Sequence, residues 1–119
     1  MLNIKLKELL YRILEKFVVS SQTLATGVTL YRYGNMRVLE VATTSVSSNT
    51  IATIPSADRP SILMHSVIRH RTADQANFYY GLLTVQTNGT VSASYCTATG
   101  AYNISAGQVY GSITWIVAN

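Results

Sequence analysis

Phe78-Tyr79-Tyr80-Gly81-Leu82-Leu83-Thr84-Val85-Gln86-Thr87-Asn88-Gly89-Thr90-Val91-Ser92-Ala93-Ser94-Tyr95-Cys96 is the stretch on which the fold turns. Two runs rich in aromatic, β-branched and small residues, Phe78 to Gln86 and Thr90 to Cys96, are joined through Thr87-Asn88-Gly89. Asn-Gly between such runs is the strongest short-range hairpin signal a sequence offers. Upstream, Val28 to Tyr33 and Met36 to Ala42 flank Gly34-Asn35, whose leading glycine suits a type II′ turn. Across that turn Arg37, Leu39 and Val41 fall on one face and Met36, Val38 and Glu40 on the other, because side chains alternate along a strand.

The remaining chain supplies more strands of the same kind. Thr50 to Ile54 is stopped by Pro55, Asp58-Arg59-Pro60 makes a second break, and Ile62 to His70 reads as the next strand, followed by a loop over Arg71 to Asn77. Thr97 to Gly107 reads as a loop, and Val109 to Val117 closes the chain with Val109, Gly111, Ile113, Trp115 and Val117 on one face. Trp115 is the expected core anchor. Short strands with turn signals about every ten residues predict a mainly β chain, an antiparallel β-sandwich or jelly roll.

The first sixteen residues follow a different period. Leu2, Leu6, Leu9 and Ile13 recur at heptad-like spacing, with Leu10, Leu14 and Phe17 beside them and Lys16 at the last seam position. This predicts a short N-terminal helix over about residues 3–16 whose stripe needs a partner, since so short a helix is marginal alone in water. Either the chain's own β domain covers the stripe, or copies of the chain do, as a coiled-coil stem. The division that follows is a helical stem over 1–17, a linker over 18–27 and a head domain over 28–119.

Composition excludes several classes. The chain has 119 residues, 48% hydrophobic and 12% charged, so it is long enough for one packed domain and too apolar for wholesale disorder. No apolar run approaches the roughly 18 to 20 residues of a membrane span, and Lys5, Lys7, Glu8 and Arg12 interrupt what would be the apolar centre of a secretory signal. The lone cysteine, Cys96, forms no intrachain disulfide and no multi-cysteine metal site.

Three motifs resemble the small C-terminal domains of minor structural proteins in tailed bacteriophages. Tyr31-Arg32-Tyr33-Gly34-Asn35-Met36-Arg37-Val38-Leu39-Glu40-Val41 looks like their opening hairpin, and Ile54-Pro55-Ser56-Ala57-Asp58-Arg59-Pro60-Ser61 is similar to their proline-bounded segment, with Ala57 where a bulky spacer residue is usual. Thr84-Val85-Gln86-Thr87-Asn88-Gly89-Thr90-Val91 and the terminal Gly111 to Trp115 strand complete the set. The resemblance spans Val28 to Val117. It implies a virion protein assembled in the bacterial cytoplasm, a homotrimeric fibre, spike or baseplate head whose helix faces other virion proteins. The same domain could instead decorate capsid or tail and bind nothing specific.

Candidate chemistry is sparse. A glycosidase needs two carboxylates about 5 to 9.5 Å apart, and outside the helix only Glu40, Asp58 and Asp74 are present. Asp58 is expected to cap its turn or pair with Arg59, so the expectation is no catalytic residue. His65 and His70 are an odd number apart and face opposite sides of a strand, which disfavours an intrachain metal site; no cofactor is implied. The net charge of +4 is spread over both parts of the chain and makes no phosphate-neutralising stripe, so neither nucleic acid nor membrane is an expected partner. Asn88-Gly89-Thr90 and Asn103-Ile104-Ser105 match the glycosylation pattern, but a turn already explains the first. On an adhesin reading, Arg69, Arg71 and Tyr102 are the expected contacts with bacterial cell-surface saccharide, because they lie at a strand end and in a glycine-containing loop. Tyrosines serve ligand stacking and subunit contacts equally well.

Overall fold

The structure, a computed structural model, describes residues 2–16, 19–43, 50–71, 78–97, 100–103 and 108–118. Among the described residues, helix α1 covers Leu2–Lys16 and is followed by nine strands: β1 Val19–Ala25, β2 Val28–Tyr33, β3 Met36–Thr43, β4 Thr50–Thr53, β5 Met64–Arg71, β6 Phe78–Val85, β7 Thr90–Thr97, β8 Gly100–Asn103 and β9 Gln108–Ile116. One 3-10 turn, Ser56–Asp58, sits between β4 and β5.

The mainly β, antiparallel architecture behind a short helix is as the sequence implies. All strands belong to one continuous sheet, ordered β1-β2-β3-β9-β5-β6-β7-β4, with β8 on the flank of β7 beyond β4. Where a sandwich has two separate sheets, the two halves here are stitched by a short ladder between β5 and β9, from Arg69↔Tyr110 to Arg71↔Gln108. Gly111 makes this join. A Cβ there would lie 2.5 Å from Ile68 Cγ2, so only glycine lets β5 approach β9 before the strands diverge. Beyond that point the Ser66 hydroxyl donates to the Ser112 carbonyl at 2.7 Å in place of a backbone ladder. On the opposite side β1 meets β4, with Leu24, Ala25, Ile51 and Ala52 packed on the core, and the sheet becomes a nearly closed barrel.

Two expectations are corrected. Residues 18–27, read as a linker, contain β1, which pairs with β2 from Val19↔Tyr33 to Ala25↔Val28 through an irregularity after Thr23. Residues 97–107, read as a loop, contain β8, paired with β7 from Ser94↔Asn103 to Thr97↔Gly100. Neither segment has an apolar alternation; the neighbouring strand imposes the conformation.

The barrel is filled by inward rows in register. Leu30, Leu39 and Ile113 form one row across β2, β3 and β9, and Val28, Val41 and Gly111 the next. Ile54, Ile68, Leu83, Val85, Val91, Ala93, Val109, Trp115 and Val117 complete the core. Hairpins form at both expected glycine turns, with Gly34 at φ 59 and Gly89 at φ 90. The second is a three-residue loop in which Gly89 N–H donates to the Gln86 carbonyl at 2.9 Å and Gln86 N–H to the Thr90 carbonyl at 3.0 Å.

Candidate functional site

The quoted motifs converge at the Gly34 end of the barrel. Arg32, Arg37 and Trp115 are register partners across β2, β3 and β9, so all three side chains point inward in one row. There they hold Asp58, the last residue of the 3-10 turn. Arg32 donates to the carboxylate through Nε at 2.9 Å and Nη2 at 2.8 Å, Arg37 through Nε at 2.6 Å, and the Trp115 indole donates to the Asp58 carbonyl at 2.8 Å. Gln22 accepts from Arg32 Nη2 at 2.6 Å, and the Gly34 carbonyl from Arg37 Nη1 at 2.6 Å. The Asn88-Gly89 hairpin docks alongside. Ile54 N–H donates to the Gly89 carbonyl at 2.8 Å, and a Cβ on Gly89 would lie 2.6 Å from the Ile54 carbonyl oxygen.

The expected pairing of Asp58 with Arg59 is not what forms: Arg32 and Arg37 take the carboxylate, and Arg59 Nε donates instead to the Ile54 carbonyl at 3.0 Å. The hydrogen bond from Arg32, helped by Arg37, outweighs burial and holds the Asp58 carboxyl below the usual range, while the same bond raises Arg32. A carboxylate kept ionised and saturated with donors is ill-suited to general acid chemistry, which needs a raised pKa. Its chemistry here is closure of a barrel end.

The outer face of the β5-β6-β9 region is the exposed candidate site. Arg69 stands between Tyr80 on β6 and Tyr110 on β9 in one register row. Its guanidinium carbon lies 5.7 Å from the Tyr110 ring centroid, and Tyr110 donates its hydroxyl to Gln108 Oε1 at 3.1 Å. Tyr80 is 73% exposed, and the adjacent row, Val67 and Leu82, is exposed as well. One row further His65 Nδ1 and Thr84 Oγ1 are 3.1 Å apart. An aromatic ring, a guanidinium and flanking aliphatic groups on one outer face can stack against a sugar ring and hydrogen-bond its hydroxyls.

Two of the three expected contacts are brought together. Arg69 and Arg71 lie on the same outer face of β5, two residues apart, within the strand rather than beyond its end. Tyr102 is placed elsewhere, on β8 opposite Tyr95 of β7; its side chain lies outside the described residues. Tyr80 and Tyr110 are the residues that sequence reasoning did not single out as contacts. Their signal was parity: each pairs directly with Arg69, but only across strands whose register the sequence does not state.

Of the expected helix seam, Leu6 and Leu9 are 64% and 55% exposed, and Ile4, Leu10 and Tyr11 are open too, so the barrel does not cover this stripe. The side chains of Leu2 and Ile13 lie outside those described. His65 is exposed and His70 buried, on opposite faces of β5 as their odd spacing requires. Burial pushes the His70 imidazole below its ordinary pKa, against an opposing hydrogen bond with the Gln108 backbone. Asp74 lies outside the described residues. No helix among the described residues is long and apolar enough to cross a membrane. Compared with protein-family models and with curated proteins, the chain matches none.

Proposed function

We propose that this chain is a non-enzymatic structural protein of a bacteriophage virion, a trimeric fibre or spike head that adheres to host-surface saccharide. On this reading the barrel is the head, of the sandwich or jelly-roll kind that the motif resemblance implies, with its two halves joined at β5 and β9. Helix α1 is the stem that gathers three copies and faces other virion proteins.

The observation that carries the proposal is an apolar helical stripe left uncovered on a molecule 67 Å long and at most 28 Å across. Exposed apolar side chains at seam spacing are stabilised when copies of the helix pack together. The Tyr80-Arg69-Tyr110 row would then be presented three times. Weak single contacts become useful under such multivalency, because avidity raises effective affinity by about 10² to 10⁴ without new contacts.

The test is binding of the 119-residue chain to a bacterial cell-wall glycan array, alongside a Leu6→Glu/Leu9→Glu variant and an Arg69→Ala/Tyr80→Ala variant. The proposal expects binding by the native chain and a loss of at least tenfold in each variant. No binding by the native chain would favour decoration of capsid or tail without a ligand. Release of reducing sugar would overturn the non-enzymatic reading, and sedimentation equilibrium near the 13.0 kDa chain mass would remove the trimer.

A further inference from the structure

The outer surface of the β1-β2-β3-β9 half changes character along its strands, and it does so in register. Beside the Gly27 turn, one outward row reads Thr23, Thr29, Glu40 and Ser112; the next reads Ser21, Tyr31, Val38 and Thr114. The last, beside the Gly34 turn, reads Val19, Tyr33, Met36 and Ile116. That row is apolar or aromatic on four successive strands, with Val19 55% and Ile116 64% exposed. Tyr31 of the adjacent outward row stacks on Tyr33 with ring centroids 6.4 Å apart. Directly inside this end of the barrel the pattern is opposite, since Arg32 and Arg37 face in. An apolar belt turned outward, with two arginines beside Trp115 turned inward, is the reverse of what a free surface in water favours.

We propose that this belt is a contact surface between copies of the chain, continuous with the helix seam. The inference rests on the assembly reading above and extends it to a particular face of the head. Val19 is three residues beyond Lys16, so at most about 11 Å of chain separates the helix end from the belt. Helices packed in parallel along their stripes therefore hold the belts of neighbouring copies near one another. A helix of 15 residues is about 22 Å long, roughly two heptads, and holds copies weakly without further area. The belt row carries no charge, so apposing two copies of it takes no ion out of water.

Sedimentation equilibrium over a concentration series of the 119-residue chain tests the inference. Ile116→Lys and Met36→Glu should each raise the dissociation midpoint at least tenfold, Ile116→Thr should raise it less, and Val67→Lys on the opposite face should leave it unchanged. Belt variants that assemble like the native chain, while Leu6→Glu/Leu9→Glu dissociates, would overturn the belt and retain the seam. A native chain that stays monomeric at all concentrations would overturn both. A readout on the native sequence guards against misfolded variants. Peroxide oxidation of Met36, followed by mass spectrometry, should be slow in the assembled protein and accelerate on dilution through the midpoint. An unchanged rate would overturn the belt.

Discussion

The middle of the β1-β2-β3-β9 half and its Gly34 end are built from the same four strands and follow opposite rules. In the middle, Leu30, Leu39 and Ile113 face in and are buried while Thr29, Glu40 and Ser112 face out. Two rows further along, Arg32 and Arg37 face in and Tyr33, Met36 and Ile116 face out. The middle is held by transfer of apolar surface from water. The end is held by charge-assisted hydrogen bonds to Asp58 around the buried Trp115, while apolar Val19, Met36 and Ile116 lie on its outer surface. Strand alternation thus says which residues share a face; what lies against that face decides which of them are apolar.

The largest expected effect breaks the middle. Leu39 is fully buried, and Leu39→Ala removes its transfer energy and leaves a cavity, which costs about 3 to 4 kcal/mol in denaturant unfolding. A loss below about 1 kcal/mol would mean the barrel collapses onto the gap. Asp58→Asn breaks the end instead. It leaves Arg32 and Arg37 facing inward without their carboxylate, at a cost of about 3 kcal/mol, toward the lower limit for broken buried pairs because Arg32 is partly exposed. A cost under about 0.5 kcal/mol would show that both arginines can swing to water.

Gly111→Ala probes the join between the halves. The added methyl meets Ile68 inside the core, and overpacking of this kind costs about 2 kcal/mol. An unchanged melting temperature would mean that β5 and β9 are not tightly joined there.

Acid separates two charged or titratable sites by pH window. His70 is held below its ordinary pKa by burial, so as pH falls below about 6.5 the unfolded chain gains a proton that the folded chain resists, and stability declines. Asp58 is held below its ordinary pKa by Arg32 and Arg37, so its contribution is complete above about pH 4 and is lost as pH falls through the lower folded value. Unfolding followed against pH should show two declining phases. His70→Leu should remove the upper one and Asp58→Asn the lower; a single phase unaffected by Asp58→Asn would mean that the arginine clamp does not hold in solution.

Part of this contrast is legible in the sequence, and the rest is hidden for identifiable reasons. Arg37 shares a face with Leu39 and Val41, and that alone announces an inward guanidinium that requires an acceptor. Asp58 is 21 residues from Arg37 and 26 from Arg32, so local sequence pointed to its neighbour Arg59 instead. The Gly34 and Gly89 turns were readable because positive φ restricts the residue type. Strand β1 was not, because Val19-Ser20-Ser21-Gln22-Thr23 has no apolar alternation and acquires its conformation from the edge of β2. The Arg69 row was half readable: the arginine stood out in sequence, while Tyr80 and Tyr110 join it only through two ladders.

The smallest expected effect is the sharpest test of the contrast between the two zones. Met36 and Leu39 lie three residues apart on β3, Met36 facing out beside Gly34 and Leu39 facing in. In protein dilute enough to be monomeric, Met36→Ala and Ile116→Ala should each change unfolding stability by no more than about 0.5 kcal/mol, the ordinary range for surface positions. The same substitution at Leu39 costs several times that. At concentrations above the assembly midpoint the two belt variants should fall behind the native chain, because only the assembled state buries these side chains and mass action couples that burial to apparent stability. If Met36→Ala costs 2 kcal/mol or more in the dilute monomer, the belt is covered by the chain itself, and the reversed alternation at the Gly34 end is a packing solution within one molecule rather than a surface kept for its copies.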